Sequence, residues 1–129
     1  MNNRWMFRVW DKAENKYSGS SFHLSMSGEL DRLSSDGDLL EADEERFVIE
    51  QCTGLRDKNG TLIFEGDFVK ITFRDQTLHY CVRYDQSNCQ LYLSCGETEF
   101  SESFDVVDNW AIEVTGNIHE REIEDENRN

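Results

Sequence analysis

Proline is absent from all 129 residues. Its absence excludes proline-rich linkers, polyproline II ligands and cis-proline turns. Basic residues are scarce too: 13 Lys and Arg stand against 27 Asp and Glu, for a formal net charge of −14. Phosphate backbones and anionic lipid surfaces both call for clustered cations, so neither nucleic acid nor a membrane is expected as the main partner. No run of 18 apolar residues is available for a transmembrane helix. The first residues, Met1 to Arg8, lack the continuous apolar stretch of a secretory signal, because Arg8 and Asp11 interrupt it. The expectation is a cytoplasmic protein. Its length suits one compact domain of roughly 14 Å radius of gyration, or two small lobes.

Four cysteines, Cys52, Cys81, Cys89 and Cys95, are present, but no pair has the two-residue spacing of a zinc knuckle. They read as buried, reduced thiols acting as small hydrophobes, with no metal and no other cofactor expected. High charge with low hydrophobicity also raises disorder. Against it stand eight Phe, four Tyr and three Trp, which bury large areas per residue. The charge is unevenly placed. Residues 36–50 carry seven acids against Arg46, residues 97–126 carry eleven against Arg121, and residues 53–95 balance five acids with five bases.

Period-two alternation recurs along the chain. Trp5, Phe7 and Val9 are expected on one strand face, with Met6, Arg8 and Trp10 on the other. Asp11 to Lys16 reads as a polar turn closing a hairpin at Tyr17. Phe22, Leu24 and Met26 suggest a short strand. Leu30 and Leu33 are spaced for one helical turn, and residues 27–45 otherwise read as an acidic loop. Strand character resumes from Arg46 to Gln51, with a boundary placed near residue 52. Asp57-Lys58-Asn59-Gly60 ends in Asn-Gly, the signature of a type I′ hairpin. Phe68–Phe73, Thr77–Tyr84 and Cys89–Ser94 form an expected meander, and Trp110–Val114 a last strand. Strands of this length at this spacing imply a small curled sheet or barrel. The tail 121–129 is acidic and is expected to fray.

Four segments carry a resemblance. Phe7-Arg8-Val9-Trp10-Asp11, Gln51 to Gly60, Ile63-Phe64-Glu65-Gly66-Asp67-Phe68-Val69 and Glu113 to Glu120 closely resemble the YopX family of phage and prophage proteins, in the same order. The family pattern continues past Gly116-Asn117-Ile118 into an Asn-Pro step, which Arg121-Glu122 replaces here. The resemblance implies a mainly β protein: an irregular β part over 1–52 with at most a short helix, an SH3-like small barrel over 53–120, and the tail. It also implies carriage on phage or other mobile DNA. It brings no catalytic residue, cofactor or metal ligand.

Within those segments Gly54, Gly60, Gly66 and Gly116 are expected at turn positions with positive φ or close backbone approach. Asp57 and Asp67 are expected to accept backbone N–H groups within turns, alongside Asn59 and Asn117. Trp5, Trp10, Phe64, Phe68 and Trp110 read as core. His79 and Cys81 share a strand face, with Asp85 at the following turn, the makings of a thiol nucleophile. Such same-face neighbours are common and lie about 7 Å apart, so no enzyme is expected. His23 and His119 have no evident partner.

The function expected is therefore a non-enzymatic accessory protein that docks on a host or phage protein. Its acidic surface, including Asp43, Glu44, Glu45, Glu97, Glu99 and Glu102, would act in the sharper version as a decoy for a basic groove. The alternative is weak nucleic-acid binding by the barrel through Arg56, Lys58, Lys70, Arg74 and Arg83. Open sheet edges also make a homo-oligomer an expected form.

Overall fold

The structure, a computed structural model, describes residues 5–87, 90–94, 101–103 and 111–120. It is mainly β, with antiparallel sheets that curl into a half-barrel and only a short helical turn at residues 118–120. The strands are β1 (Phe7–Asp11), β2 (Lys16–Tyr17), β3 (Phe22–Leu24), β4 (Leu30–Leu33), β5 (Leu39–Glu41), β6 (Phe47–Arg56), β7 (Leu62–Phe64), β8 (Asp67–Phe73), β9 (Gln76–Asp85), β10 (Gln90–Ser94), β11 (Ser101–Ser103) and β12 (Ile112–Asn117). The chain divides into two units, Met1–Phe7 with Glu50–Asn129, and Arg8–Ile49. Strand β6 begins in the smaller unit and continues into the larger.

In the larger unit the five-stranded sheet has the order β11-β10-β9-β8-β12. Alternation places Val69 and Ile71 of β8, Tyr80 and Val82 of β9, Leu93 of β10 and Ile112 of β12 in one buried cluster with Ile63. Each such side chain contributes about 1.5–3 kcal/mol of transfer free energy. Two irregularities shape this unit. Between Cys52 and Arg56, β6 has two more residues than the facing stretch of β7, with Gly54 at φ 84°, and Thr53 Oγ1 donates to Ile63 O at 2.8 Å. In β12 the extra residue is Thr115, between Val114 and Gly116. Gly54 and Gly116 thus lie in strand irregularities and not in turns, where two extra residues in β6 and one in β12 re-aim the strand.

In the smaller unit, β1 and β2 form the expected hairpin, with Trp10 opposite Tyr17 and their rings edge-to-face at 4.9 Å. Phe22 meets Phe47 at 5.3 Å, and the Arg46 guanidinium lies 4.8 Å from the Phe47 ring centre. Strands β3, β4 and β5 form a separate three-stranded sheet.

Several expectations are corrected here. Residues 30–33 are strand and not a helical turn: Leu30 pairs with Leu24 and Arg32 with Leu40, whereas one isolated helical turn has too few hydrogen bonds to offset its nucleation. The acidic stretch 27–45 is accordingly a hairpin more than a loop. Burial in β1 runs consecutively through Val9, Trp10 and Asp11, and Trp5 is 70% exposed, outside the core. The Asn59-Gly60 turn is not type I′, because only Gly60, at φ 83°, is left-handed. It is the three-residue form closed by a left-handed glycine, with Gly60 N donating to Asp57 O and Asp57 N to Thr61 O. The same arrangement occurs at Ser25–Glu29 and Ser34–Asp38, with Gly28 and Gly37 in the glycine position. In all three the first residue's side-chain oxygen accepts the N–H four residues on. Cys89, Cys95, Trp110 and the tail 121–129 lie outside the described residues.

Candidate functional site

The motif residues of the larger unit first build a frame. Asp57 is buried, and its Oδ1 accepts N–H from Asn59 and Thr61, each at 2.9 Å. Its Oδ2 accepts the Val114 N–H at 2.9 Å, tying the turn to β12. Burial pushes the pKa of this carboxyl up, but the three backbone donors outweigh it and the pKa falls below the usual value. Asp67, also buried, accepts the Phe64 N–H at 2.8 Å. Asn117 caps the helical turn, with Oδ1 accepting His119 N and Glu120 N.

A buried pair joins this frame that the sequence did not reveal. His119 Nε2 lies 2.8 Å from Glu50 Oε2, and both side chains are about 5% exposed or less. The partners are 69 positions apart, and the one local signal was an acid, Glu50, following the apolar run Phe47-Val48-Ile49. Gly66, at φ 90°, allows this approach: a Cβ there would fall 2.6 Å from Glu50 Oε2. Gly66 N donates to Val82 O, and Gly66 O accepts from Ile118 N. Gly116 is similarly close-packed, its absent Cβ lying 2.7 Å from Glu120 Oε2.

The outer face of the five-stranded sheet carries the side chains that alternate away from the core. Cross-strand register sets Phe68 opposite Cys81, Cys81 opposite Ser94, and Lys70 opposite His79. A groove of about 360 Å³ opens there, lined among the described residues by Phe68, His79, Cys81, Arg83, Ser94 and Thr115, with Val69 and Tyr80 behind. Cys81 is a buried free thiol, as is Cys52. Burial pushes the Cys81 pKa up, against a smaller opposing pull from Arg83, and its Sγ lies 3.8 Å from Val82 O. A thiol held protonated is a poor nucleophile. Asp85 turns its Oδ1 to the Ser87 N–H in its own turn, 2.9 Å away.

Beside the groove, Lys70 and Lys58 share one carboxylate, Glu113, at 3.1 and 3.5 Å. Hydrogen bonding from Lys70 holds the Glu113 pKa below its usual value. These two cations are therefore already engaged. Arg56 donates to Gly60 O within its hairpin. Arg83 makes no ion pair among the described residues and is exposed.

The acidic candidates divide. Asp43, Glu44 and Glu45 are exposed at the end of the β4–β5 hairpin, where Asp43 Oδ1 accepts the Glu45 N–H. Glu102 lies in β11 opposite Leu93, and Glu97 and Glu99 fall outside the described residues. The same three-stranded sheet exposes Leu33, Leu39 and Leu40, at 43%, 53% and 56%. Among the described residues no three His, Cys, Asp or Glu side chains gather as metal ligands, and no helix is long and apolar enough to cross a membrane.

A curled antiparallel sheet with a small groove, over a frame of buried carboxylates, defines a small mainly β protein of half-barrel type. The family model described as YopX protein matches residues 6–122, and the chain belongs to the YopX family. Two solved structures share the fold. Protein EF1440 from Enterococcus faecalis is 25% identical, with a TM-score of 0.57, over 90% of this chain and 94% of that one. Protein yopX from Bacillus subtilis is 20% identical, with a TM-score of 0.62, over 93% of this chain and 95% of that one. No curated protein matches the chain.

Proposed function

We propose that this is a non-enzymatic accessory protein of phage or other mobile DNA that docks on a basic protein surface through its β4–β5 hairpin. One observation carries the reading. Residues 27–45 hold eight acids against the single base Arg32, and the sheet they form exposes Leu33, Leu39 and Leu40 among those acids. Charge of one sign speeds encounter with a complementary surface, and exposed leucines supply apolar area that charge alone would not. A partner whose basic groove normally holds nucleic acid would be occupied in its place, which is the decoy form of the proposal.

The test is affinity capture from bacterial lysate at about 150 mM salt, with the intact chain and with a variant carrying Asp36→Asn, Asp38→Asn, Glu41→Gln and Glu44→Gln. Support would be a basic protein retained by the intact chain, lost by the variant, and associating more slowly as salt rises. Competition by duplex DNA for that partner would establish the decoy form. Capture of no basic protein, or equal retention by the variant, sinks the proposal.

A further inference from the structure

We propose that the outer-face groove of the five-stranded sheet binds a planar ring bearing an anionic group, with a nucleoside monophosphate as the matching ligand. The groove's size, about 360 Å³, lies at the lower end of small-ligand clefts and suits one such unit. Its walls divide by chemistry. The half-buried Phe68 ring and the buried Cys81 thiol offer an apolar, polarizable floor to a flat ring. Ser94 and Thr115 bring hydroxyl groups to the same groove: Thr115 Oγ1 already donates to Phe68 O at 3.3 Å and is left to accept from the polar edge of a base, while Ser94 can donate or accept.

The anionic end is assigned by Arg83. In a chain of net charge −14 this guanidinium stands exposed at the groove without a carboxylate in ion-pair reach among the described residues, unlike Lys58, Lys70 and Arg46. A guanidinium fork suits a phosphate in two-point contact, and His79, four residues back along β9, lines the opposite end of the groove. A long polyanion is disfavoured by the overall negative field; a single monophosphate brings less charge against it, and Arg83 must outweigh the Asp67, Glu50 and Glu65 carboxylates that also act on Cys81. The chemistry is shared by a free nucleotide and by one unit of a single strand, and the field favours the free form.

The measurement is an amide chemical-shift titration of the full chain with adenosine and uridine monophosphates, adenosine, inorganic phosphate and a thymidine decanucleotide. The expected result is a saturable response to the monophosphates at Phe68, Cys81, Arg83 and Ser94, with roughly tenfold weaker binding of adenosine and of phosphate. Arg83→Gln, an exposed substitution, should weaken monophosphate binding by about tenfold while leaving the amide spectrum of the free protein folded. No saturable response up to about 10 mM overturns the proposal, as does equal binding by the Arg83→Gln variant. A response to the decanucleotide alone overturns the assignment to a free nucleotide.

Discussion

Replacing Asp57 with Asn separates two jobs that one carboxylate performs. The side chain is 6% exposed, and its oxygens accept three backbone N–H groups, two in the turn and one from Val114 of β12. Asn keeps one oxygen. Directed at the two turn donors, it preserves the hairpin and sets an NH2 group against the Val114 N–H. The Val114 contact then changes from a charge-assisted hydrogen bond to a donor facing a donor. Loss of a hydrogen bond to a charged group costs about 1.5–3 kcal/mol, so the expected destabilisation is about 2–3 kcal/mol. Asp57→Ala removes all three acceptors, and the expected cost rises to about 4 kcal/mol. Either is a large part of the roughly 5–15 kcal/mol that holds a domain folded.

Urea unfolding at pH 7 measures the loss, and amide exchange locates it. The Asp57→Asn variant should lose protection at Val114 while Thr61 stays protected. The pH dependence follows from the lowered pKa of Asp57 in the folded state. Its ionised form contributes stability above the usual carboxylate value of 3.8, and that contribution fades as pH falls towards the lower folded value. The gap between native protein and variant should therefore narrow in acid. A loss under about 0.5 kcal/mol with Val114 still protected would refute the reasoning.

In the smaller unit, the bidentate contact with Arg46, at 2.9 Å, holds the Asp11 pKa down to about 2. Arg46 is 36% exposed, so solvent screening brings the contribution to about 1 kcal/mol, present above pH 4 and lost between pH 4 and about 2. An Asp11→Asn variant whose stability deficit does not shrink over that interval in urea titrations would contradict this. Gly66→Ala should cost roughly 2–4 kcal/mol, because it forces alanine to φ 90° and drives Cβ against Glu50. It should also shift the His119 imidazole resonances, and an unchanged midpoint with unmoved resonances would show that the frame tolerates the methyl.

Local periodicity made the larger unit's sheet legible. Val69, Ile71, Val82 and Leu93 alternate in sequence and lie together in the buried cluster. Of the three glycine-closed hairpins, the one at Asp57–Thr61 was legible as a position but not as a conformation, and those at Ser25–Glu29 and Ser34–Asp38 were hidden in the stretch that reads as a loop. Ser25, Ser34 and Asp57 each stand three residues before a glycine, a shared spacing whose meaning lies in the side-chain oxygen reaching the N–H four residues on. The Asn-Gly pair at 59–60 pointed to the wrong turn because the residue that decides it is Asp57, two positions earlier. Leu30 and Leu33 suggested a helix because two apolar residues three apart fit one, whereas pairing with Leu24 and Leu39 settles them in strand. His79, Cys81 and Arg83 could be placed on one strand face from alternation. Ser94 and Thr115 reach the same groove only through the register of four strands, which no local pattern encodes.

The acidic count is where composition and structure differ most in meaning. Four of the acids, Asp11, Glu50, Asp57 and Asp67, are buried, and each is met by a specific group: Arg46, His119, three backbone donors, and the Phe64 N–H. A buried carboxylate without such a group would lose several kcal/mol of hydration, so these acids are fixed by the fold and unavailable to a partner. Of the exposed acids of residues 36–45, Asp43 holds the Glu45 N–H in its own turn, and the mutual repulsion of Asp36, Asp38, Glu41 and Glu44 works slightly against the compact state. Neutralising the first set should destabilise the protein, whereas neutralising the second should leave stability level or raised. A loss of binding on neutralising the second set then reports on the partner surface and not on the fold. The opposite signs follow from burial, which the count of 27 acids does not contain.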